Sequence, residues 1–149
     1  MKKIILLFLI LLCSKPNSLS QSKHGITLTI KLIISTGSLD NANLTVENNK
    51  TRDIQTYKGI NSPKRKTYNF TLSFNEEFTL TFSKPGFITK CILFDTNLPK
   101  EKQNEDFKPT NFAVELFESN DSIPSTEGCK PLSKWKYSEK HNDFDIEIF

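Results

Sequence analysis

Short runs in which apolar and polar residues alternate fill most of the chain after its first twenty residues. In GITLTIKLIIS, for example, Ile26, Leu28, Ile30 and Leu32 would share one face of an extended strand. The same period of two continues through ANLTVEN, KTYNFTLSF, EFTLTFSK, GFITKCILFD and NFAVELFE. Short alternating runs separated by turn residues are typical of antiparallel all-β folds. The pattern therefore predicts an all-β protein, and a single antiparallel β-sandwich in particular.

The alternation also assigns faces to individual side chains. The residues expected in the core are Ala42, Leu44, Val46, Tyr68, Phe70, Leu72, Phe74, Phe78, Leu80, Phe82, Phe112, Val114 and Leu116, with Ala113 and Phe117 as the alternative pair in the last run. In GFITKCILFD, residues Ile88, Ile92 and Phe94 would share one face, and Cys91 and Leu93 the other.

Turn residues punctuate these runs. Residues 75–77 separate two phenylalanine-rich strands by the spacing of a hairpin, and residues 84–86 predict a turn in which Gly86 supplies a positive φ. Two long polar segments, residues 97–110 and 119–131, are expected to be loops.

The chain begins with a pattern of its own. Lys2 and Lys3 precede an uncharged apolar run over residues 4–12, which is the pattern of a secretory signal peptide. The run is too short for a membrane-spanning helix, which needs about 20 apolar residues. Small residues in Ser18-Leu19-Ser20 favour cleavage before residue 21. Lipidation of Cys13 is the alternative, although Leu12 is larger than the residue that normally precedes a lipidated cysteine.

Composition and charge narrow the function classes. Alanine occurs only at two positions whereas phenylalanine occurs 12 times, which argues against a helical domain. The 149 residues carry a net charge of +3, and Lys2, Lys3 and Lys15 account for all of it. The mature chain is therefore neutral, and no nucleic-acid partner is expected. Lys58 and the basic residues 64–66 then indicate a solvated loop.

Several segments resemble the transthyretin-like, carboxypeptidase regulatory-like β-sandwich domains of exported bacterial envelope proteins. The resemblance is carried by GSLDNANLTV (37–46), by YNFTLSFNEEFTLTFSKPGF (68–87) with its Gly86-Phe87 pair, by the Asp95-Thr96 step, by FAVELFE, and by KPLSKWKYSEKHNDFDIE. It covers roughly residues 26–147. It implies about seven strands and a module without catalytic residues.

The resemblance and the punctuation together suggest three regions. Residues 1–20 would be the signal peptide, residues 21–118 the sandwich, and residues 119–149 a C-terminal extension packed on it. No stable transmembrane segment is expected in the mature chain.

No catalytic motif is present in the sequence. The two histidines, His24 and His141, lie near opposite ends of the mature chain, and the motifs of zinc hydrolases, serine hydrolases and phosphate-binding loops do not occur. We expect a protein that is not an enzyme and needs no cofactor.

The tail offers one candidate metal site. His141, Asp143, Asp145 and Glu147 alternate and would share one face of a strand, where they could bind a hard cation. The favoured interpretation is a terminal strand whose buried face is Phe144, Ile146 and Ile148, and we predict no metal site.

Export would leave two cysteines, Cys91 and Cys129, in an oxidising compartment. They are candidates for a disulfide that pins the C-terminal segment over the outer face of the sheet. A buried free Cys91 with an exposed Cys129 is the alternative.

Trp135 and Tyr137 are a tentative ligand platform, because two nearby aromatic rings can stack on a sugar. More often such a pair covers the edge or the outer face of a sheet. The sequence thus favours an exported, non-catalytic module that contacts an envelope protein through a sheet edge or its long loops. A small glycan-binding module is the alternative.

Overall fold

The computed structural model describes residues 25–62, 65–119 and 129–149. These residues contain ten strands and one turn of 3-10 helix (Lys100–Lys102), without an α-helix. The strands are β1 (Gly25–Ile34), β2 (Asn43–Asn48), β3 (Ile54–Tyr57), β4 (Ile60–Ser62), β5 (Arg65–Ser73), β6 (Glu77–Ser83), β7 (Lys90–Asp95), β8 (Thr110–Leu116), β9 (Pro131–Ser138) and β10 (Asp143–Ile148). The predicted signal peptide, its cleavage site and Cys13 lie outside the described residues.

The strands form two sheets, as the alternation predicts for a sandwich. One sheet has four strands in the order β4-β5-β1-β8, and the other has six in the order β10-β9-β7-β6-β2-β3. The expectation of about seven strands is wrong. The region of Lys58 and residues 64–66, expected to be a solvated loop, contributes β3, β4 and the start of β5 at Arg65, although the sequences IQTY and INS show little apolar alternation.

Two of the strand pairings are parallel, so the prediction of a purely antiparallel fold is also wrong. β8 runs parallel to β1, and β9 runs parallel to β7. Parallel neighbours require long crossover connections. The polar segments 97–110 and 119–131 lie just before β8 and β9, and part of the second is outside the described residues.

The core between the sheets is formed by the alternating residues. In β1, Ile26, Leu28, Ile30 and Leu32 are all fully buried. The other buried members predicted from the pattern are Ala42, Leu44, Val46, Tyr68, Phe70, Leu72, Phe78, Leu80, Phe82, Ile92, Phe94, Val114 and Leu116. Phe74 and Phe112 are partly buried and pack against this core. Ile88, expected to share a face with Ile92 and Phe94, lies before β7 and is 51% exposed.

Residues 75–77 connect the two sheets and do not close a hairpin. β5 pairs with β1 and β4, whereas β6 pairs with β2 and β7. Thr96, which is fully buried, holds this crossing: its hydroxyl contacts Ser73 O at 2.7 Å and Glu76 O at 2.8 Å, and it accepts the Glu76 N–H at 3.1 Å. The flanking strands β5 and β6 therefore lie in opposite sheets, and each buries one face in the core between them.

The predicted turn at residues 84–86 is confirmed. Gly86 has a φ of +79°, and the main-chain N–H of Phe87 donates to Lys84 O at 3.1 Å. A side chain would strain this left-handed conformation, which explains the glycine.

The C-terminal residues extend the larger sheet. β9 pairs with β7, and β10 pairs with β9, so both strands lie in the plane of the six-stranded sheet and do not cover its outer face. Phe144 in β10 is buried, as predicted. Ile146 and Ile148 are not, with 45% and 80% of their side chains exposed.

Candidate functional site

On one side of the sandwich the two sheets do not end at the same place, because the six-stranded sheet extends beyond the four-stranded sheet. Phe112 of β8 stacks on Trp135 of β9, with 5.3 Å between the ring centroids, so β8 lies above β9. β8 is the last strand of its sheet, but β10 still follows β9 in the other. The exposure of Ile146 and Ile148 follows from this difference, since no strand in the described residues covers that end of β10.

A shallow apolar depression runs along this open side, and we call it the edge groove. Its volume is about 210 Å³, and its walls are formed by residues of both sheets. The lining residues are Lys90, Ile92, Phe112, Ala113, Val114, Glu115, Leu132, Ser133, Trp135 and Ile146. Inward-facing and outward-facing residues of β8 both line it, so the groove reaches the main-chain edge of that strand.

The outer main-chain edge of β8 has no strand partner among the described residues. β8 pairs with β1 from Thr110 to Leu116, and this sheet ends there. An unpaired strand edge presents a row of N–H and C=O groups that can accept another strand. The open edge and the apolar depression below it therefore form one surface.

Lys90 is the basic residue among those that line the groove. Its ammonium group is 4.3 Å from the centroid of the Phe117 ring, and no carboxylate is in ion-pair distance of it in the part of the chain that the structure describes. Burial lowers the pKa of Lys90, and the nearby charge of Glu115 offsets this only in part. The groove thus combines apolar walls with one incompletely compensated positive charge.

Trp135 and Tyr137, the predicted ligand platform, both pack against other aromatic side chains. Trp135 stacks on Phe94 as well as on Phe112, with centroids 6.0 Å and 5.3 Å away. Tyr137 makes edge contacts with Phe107 and Phe144, and its hydroxyl donates to Asn142 at 2.8 Å. Their rings therefore help to form the core. Trp135 also lines the edge groove.

The indole N–H of Trp135 is a polar group without a partner. Its nitrogen is buried and makes no hydrogen bond to any described residue. A buried donor that is left unpaired costs about 1–3 kcal/mol relative to a paired one.

Cys91 and Cys129 are joined by a disulfide in the structure, with 5.8 Å between their Cα atoms. Cys91 is buried, and its sulfur lies 3.4 Å from the hydroxyl oxygen of Thr81 on the outer face of the larger sheet. Cys129 comes just before β9, whose pairing with β7 begins at Cys91 and Pro131. The link therefore fixes the start of β9, which carries Trp135.

A charged network lies on the outer face of the same strands. The ammonium of Lys134 contacts Glu77 Oε2 and Asp95 Oδ2, both at 2.9 Å. Hydrogen bonds from Lys134 and Asn49 hold the pKa of Glu77 below its usual value. Burial would raise the pKa of Asp95, but hydrogen bonds from Lys134 and Asn97 outweigh it and lower that pKa. The network ties β9 to β6 and β7.

The four alternating residues of the tail pair mostly with neighbouring groups of the protein. His141 Nδ1 lies 2.8 Å from Asp145 Oδ2, and Glu147 forms an ion pair with Lys136 at 2.7 Å. Asp143 accepts the main-chain N–H of Phe144. The described residues contain no group of three or more such side chains that could hold a metal ion.

The two expected interaction loops differ in how they meet the core. In residues 97–110, Phe107 packs against Phe74, Tyr137 and Phe144 and closes one end of the sandwich. Of residues 119–131, positions 120–128 lie outside the described residues. Of the basic residues expected in a solvated loop, Lys66 lies in β5, and its Nζ donates to Ala42 O at 2.8 Å.

The described residues define an all-β, two-sheet protein with one disulfide, in which β8 is the edge strand beside the edge groove. They contain no helix that is long and apolar enough to cross a membrane. No family model, no curated protein and no solved structure matches the chain.

Sequence reasoning missed the edge groove. Its only trace in the sequence is a terminal strand, DFDIEI, that keeps its apolar alternation to the end of the chain.

Proposed function

We propose that this protein is an exported, non-catalytic β-sandwich module of the bacterial cell envelope that works by binding another envelope protein. The observation that carries the proposal is the open side of the sandwich, where no described strand pairs with the outer edge of β8 and where Ile146 and Ile148 are exposed. Exposed apolar surface beside a free strand edge is a known mark of protein contact.

The proposal includes a domain of the transthyretin-like type. The resemblance of residues 26–147 supports it, and the two-sheet, all-β architecture is compatible with it. Domains of this kind contribute no catalytic residue, so we propose that the protein acts through contact alone.

Export is supported by two independent features. Lys2, Lys3 and the apolar run over residues 4–12 form the pattern of a signal peptide. The disulfide between Cys91 and Cys129 fits an oxidising compartment, because thiols stay reduced in the cytosol.

Mass spectrometry of the protein from envelope fractions of its own host tests export. We expect a mature chain that begins at Gln21, in the periplasm or associated with the outer membrane. A lipidated Cys13 would change the anchor and leave the module as proposed. Full-length protein in the cytosolic fraction would contradict export.

Contact through the open side is favoured over contact with a glycan. A sugar would need an open aromatic face, whereas Trp135 and Tyr137 pack against the protein's own rings. A glycan array with a Trp135→Ala control tests the alternative. Binding that depends on Trp135 would favour the glycan module over the proposed function.

Affinity capture from envelope extract tests the proposed function itself. The wild type should retain a defined protein that Ile148→Asp releases and Ile54→Asp does not. Ile54 is the matched control, because it is also an edge isoleucine, 64% exposed, on the opposite side in β3. Equal capture by both variants would contradict contact through the open side.

A further inference from the structure

We propose that the edge groove accepts one extended segment of a partner protein, which adds to β8 as a strand, covers Ile146 and Ile148, and brings a carboxylate to Lys90. This inference rests on the proposed function and names the chemistry of the partner. Three features of the open side carry it: the width of the uncovered sheet, the shape and polarity of the groove, and the charge of Lys90.

The width of the uncovered region fits a single strand. β8 lies above β9 through the contact between Phe112 and Trp135, and only β10 extends further. Neighbouring strands are spaced by about 4.8 Å, so one strand added to β8 would lie above β10. The added strand would occupy the space over Ile146 and Ile148.

A second copy of the chain does not fit the same space. If two β8 edges paired, the added β8 would lie above the first copy's β10, and the second copy's own β9 would have to lie below it. β9 of one copy and β10 of the other would then occupy one position. The overhang of the larger sheet therefore excludes this pairing and leaves room for a chain with no sandwich attached at that point.

The lining of the groove specifies the side chains of the segment. Ile92, Val114, Trp135 and Ile146 form its apolar walls, so alternate residues of the segment should be apolar and face inward. The residues between them would face solvent, as Ala113 and Glu115 do in β8.

Lys90 adds a charge requirement. Its ammonium contacts the ring of Phe117, and the charge of Glu115 compensates it in part, but no carboxylate of the described residues lies within ion-pair distance of it. A carboxylate of the segment would supply that partner at the edge of an apolar surface. The occupant is therefore an extended, alternately apolar peptide segment with an acidic residue over Lys90.

Fluorescence titration of the mature protein with synthetic peptides tests the inference, because Trp135 is the single tryptophan of the chain. The probe is a set of ten-residue peptides that alternate valine with threonine and carry one glutamate at varied positions. The controls keep the length, the valines and the glutamate but carry proline in place of threonine, since proline cannot donate to a strand ladder. Hydrogen exchange of the β8 amides is followed in parallel.

We expect at least one alternating peptide to shift the Trp135 emission saturably and to slow exchange of the β8 amides, with at least tenfold weaker binding of its proline control. Ile148→Asp should weaken binding about tenfold, and Ile54→Asp should leave it unchanged. Replacing the peptide glutamate with glutamine should lower the affinity for the wild type about fivefold and leave the affinity for Lys90→Gln unchanged. This difference would identify the contact between the glutamate and Lys90.

Three results would overturn the inference. The first is no emission shift and no slowed β8 exchange with any peptide up to about 1 mM, the weak end of specific recognition. The second is an emission shift that follows protein concentration alone, which would indicate self-association. The third is a shift produced by oligosaccharides and not by peptides. If peptides fail while envelope capture still depends on Ile148, the strand-addition inference fails and the proposed function stands.

Discussion

Reduction of the Cys91–Cys129 disulfide should destabilise the protein strongly. The two cysteines are 38 residues apart, and the link closes this loop in the unfolded chain. In the chain-entropy model, closure of a loop of this length contributes about 4 kcal/mol at 25 °C. For a folded region of about 125 residues, that corresponds to a fall in Tm of about 15 °C.

The disulfide should also stabilise β9 and β10, the strands at the open side, more than it stabilises the rest of the fold. Cys129 precedes β9, and the parallel pairing of β9 with β7 begins next to the link. Without it, β9 and β10 are held by strand pairing, the Lys134 network and aromatic contacts alone. We therefore expect amides of β9 and β10 to exchange faster in the reduced protein than those of β1 and β5.

Urea unfolding with and without reductant, followed by Trp135 emission, measures the global effect. The matched control is Cys129→Ala, whose stability should match that of the reduced wild type and should not respond to reductant. Free-thiol counts under denaturing conditions should be zero before reduction. Two free thiols in the protein purified from the envelope, or a reductant effect below about 1 kcal/mol, would refute the reasoning.

Three further predictions concern the frame around the groove. Because the pKa values of Glu77 and Asp95 are lowered in the folded state, these groups stabilise the protein at pH values above their unfolded pKa values, and stability should fall as the pH drops below about 4. Lys134→Met should flatten this pH dependence in urea titrations. An unchanged profile would contradict the prediction. Thr96→Val should lower the free energy of unfolding by about 2 kcal/mol and Tm by about 8 °C in calorimetry, because it removes the buried hydroxyl that holds the crossing. A change below about 0.5 kcal/mol, which is typical of a surface substitution, would argue against that role. Gly86→Ala should lower the free energy of unfolding by about 1 kcal/mol through its positive φ alone, since a Cβ there meets no described atom within 4 Å. Gly37→Ala, with a φ of +75° and similar space, should lower it by the same amount in urea titrations.

The sequence predicts well which side chains are buried. The period of two in β1 assigns Ile26, Leu28 and Ile30 to the core, and all three are fully buried. This succeeds because a strand with one buried face must alternate. The turn at Gly86 is equally local, since it depends on one residue's φ.

The pairing of the strands could not be predicted in the same way. Alternation fixes which face of a strand is buried but not which strand lies next to it. Residues 75–77 have the spacing of a hairpin, yet the chain crosses there between sheets because buried Thr96 binds the crossing from a distant segment. The parallel strands β8 and β9 depend on such long-range choices as well.

The open side is a consequence of pairing, so it too was beyond sequence reasoning. Ile146 and Ile148 continue the alternation of Phe144 and were assigned to the same buried face. Only Phe144 is covered, because the loop residue Phe107 packs on it, whereas the four-stranded sheet ends at β8 before it reaches the other two.

Site-specific photo-crosslinking in the organism that makes this protein tests the central claim most directly. A photoreactive amino acid would replace Ile148 at the open side or Ile54 at the opposite edge. The account predicts a defined crosslinked band with one envelope protein from position 148 and none from position 54. No band from position 148, or the same bands from both positions, would contradict it.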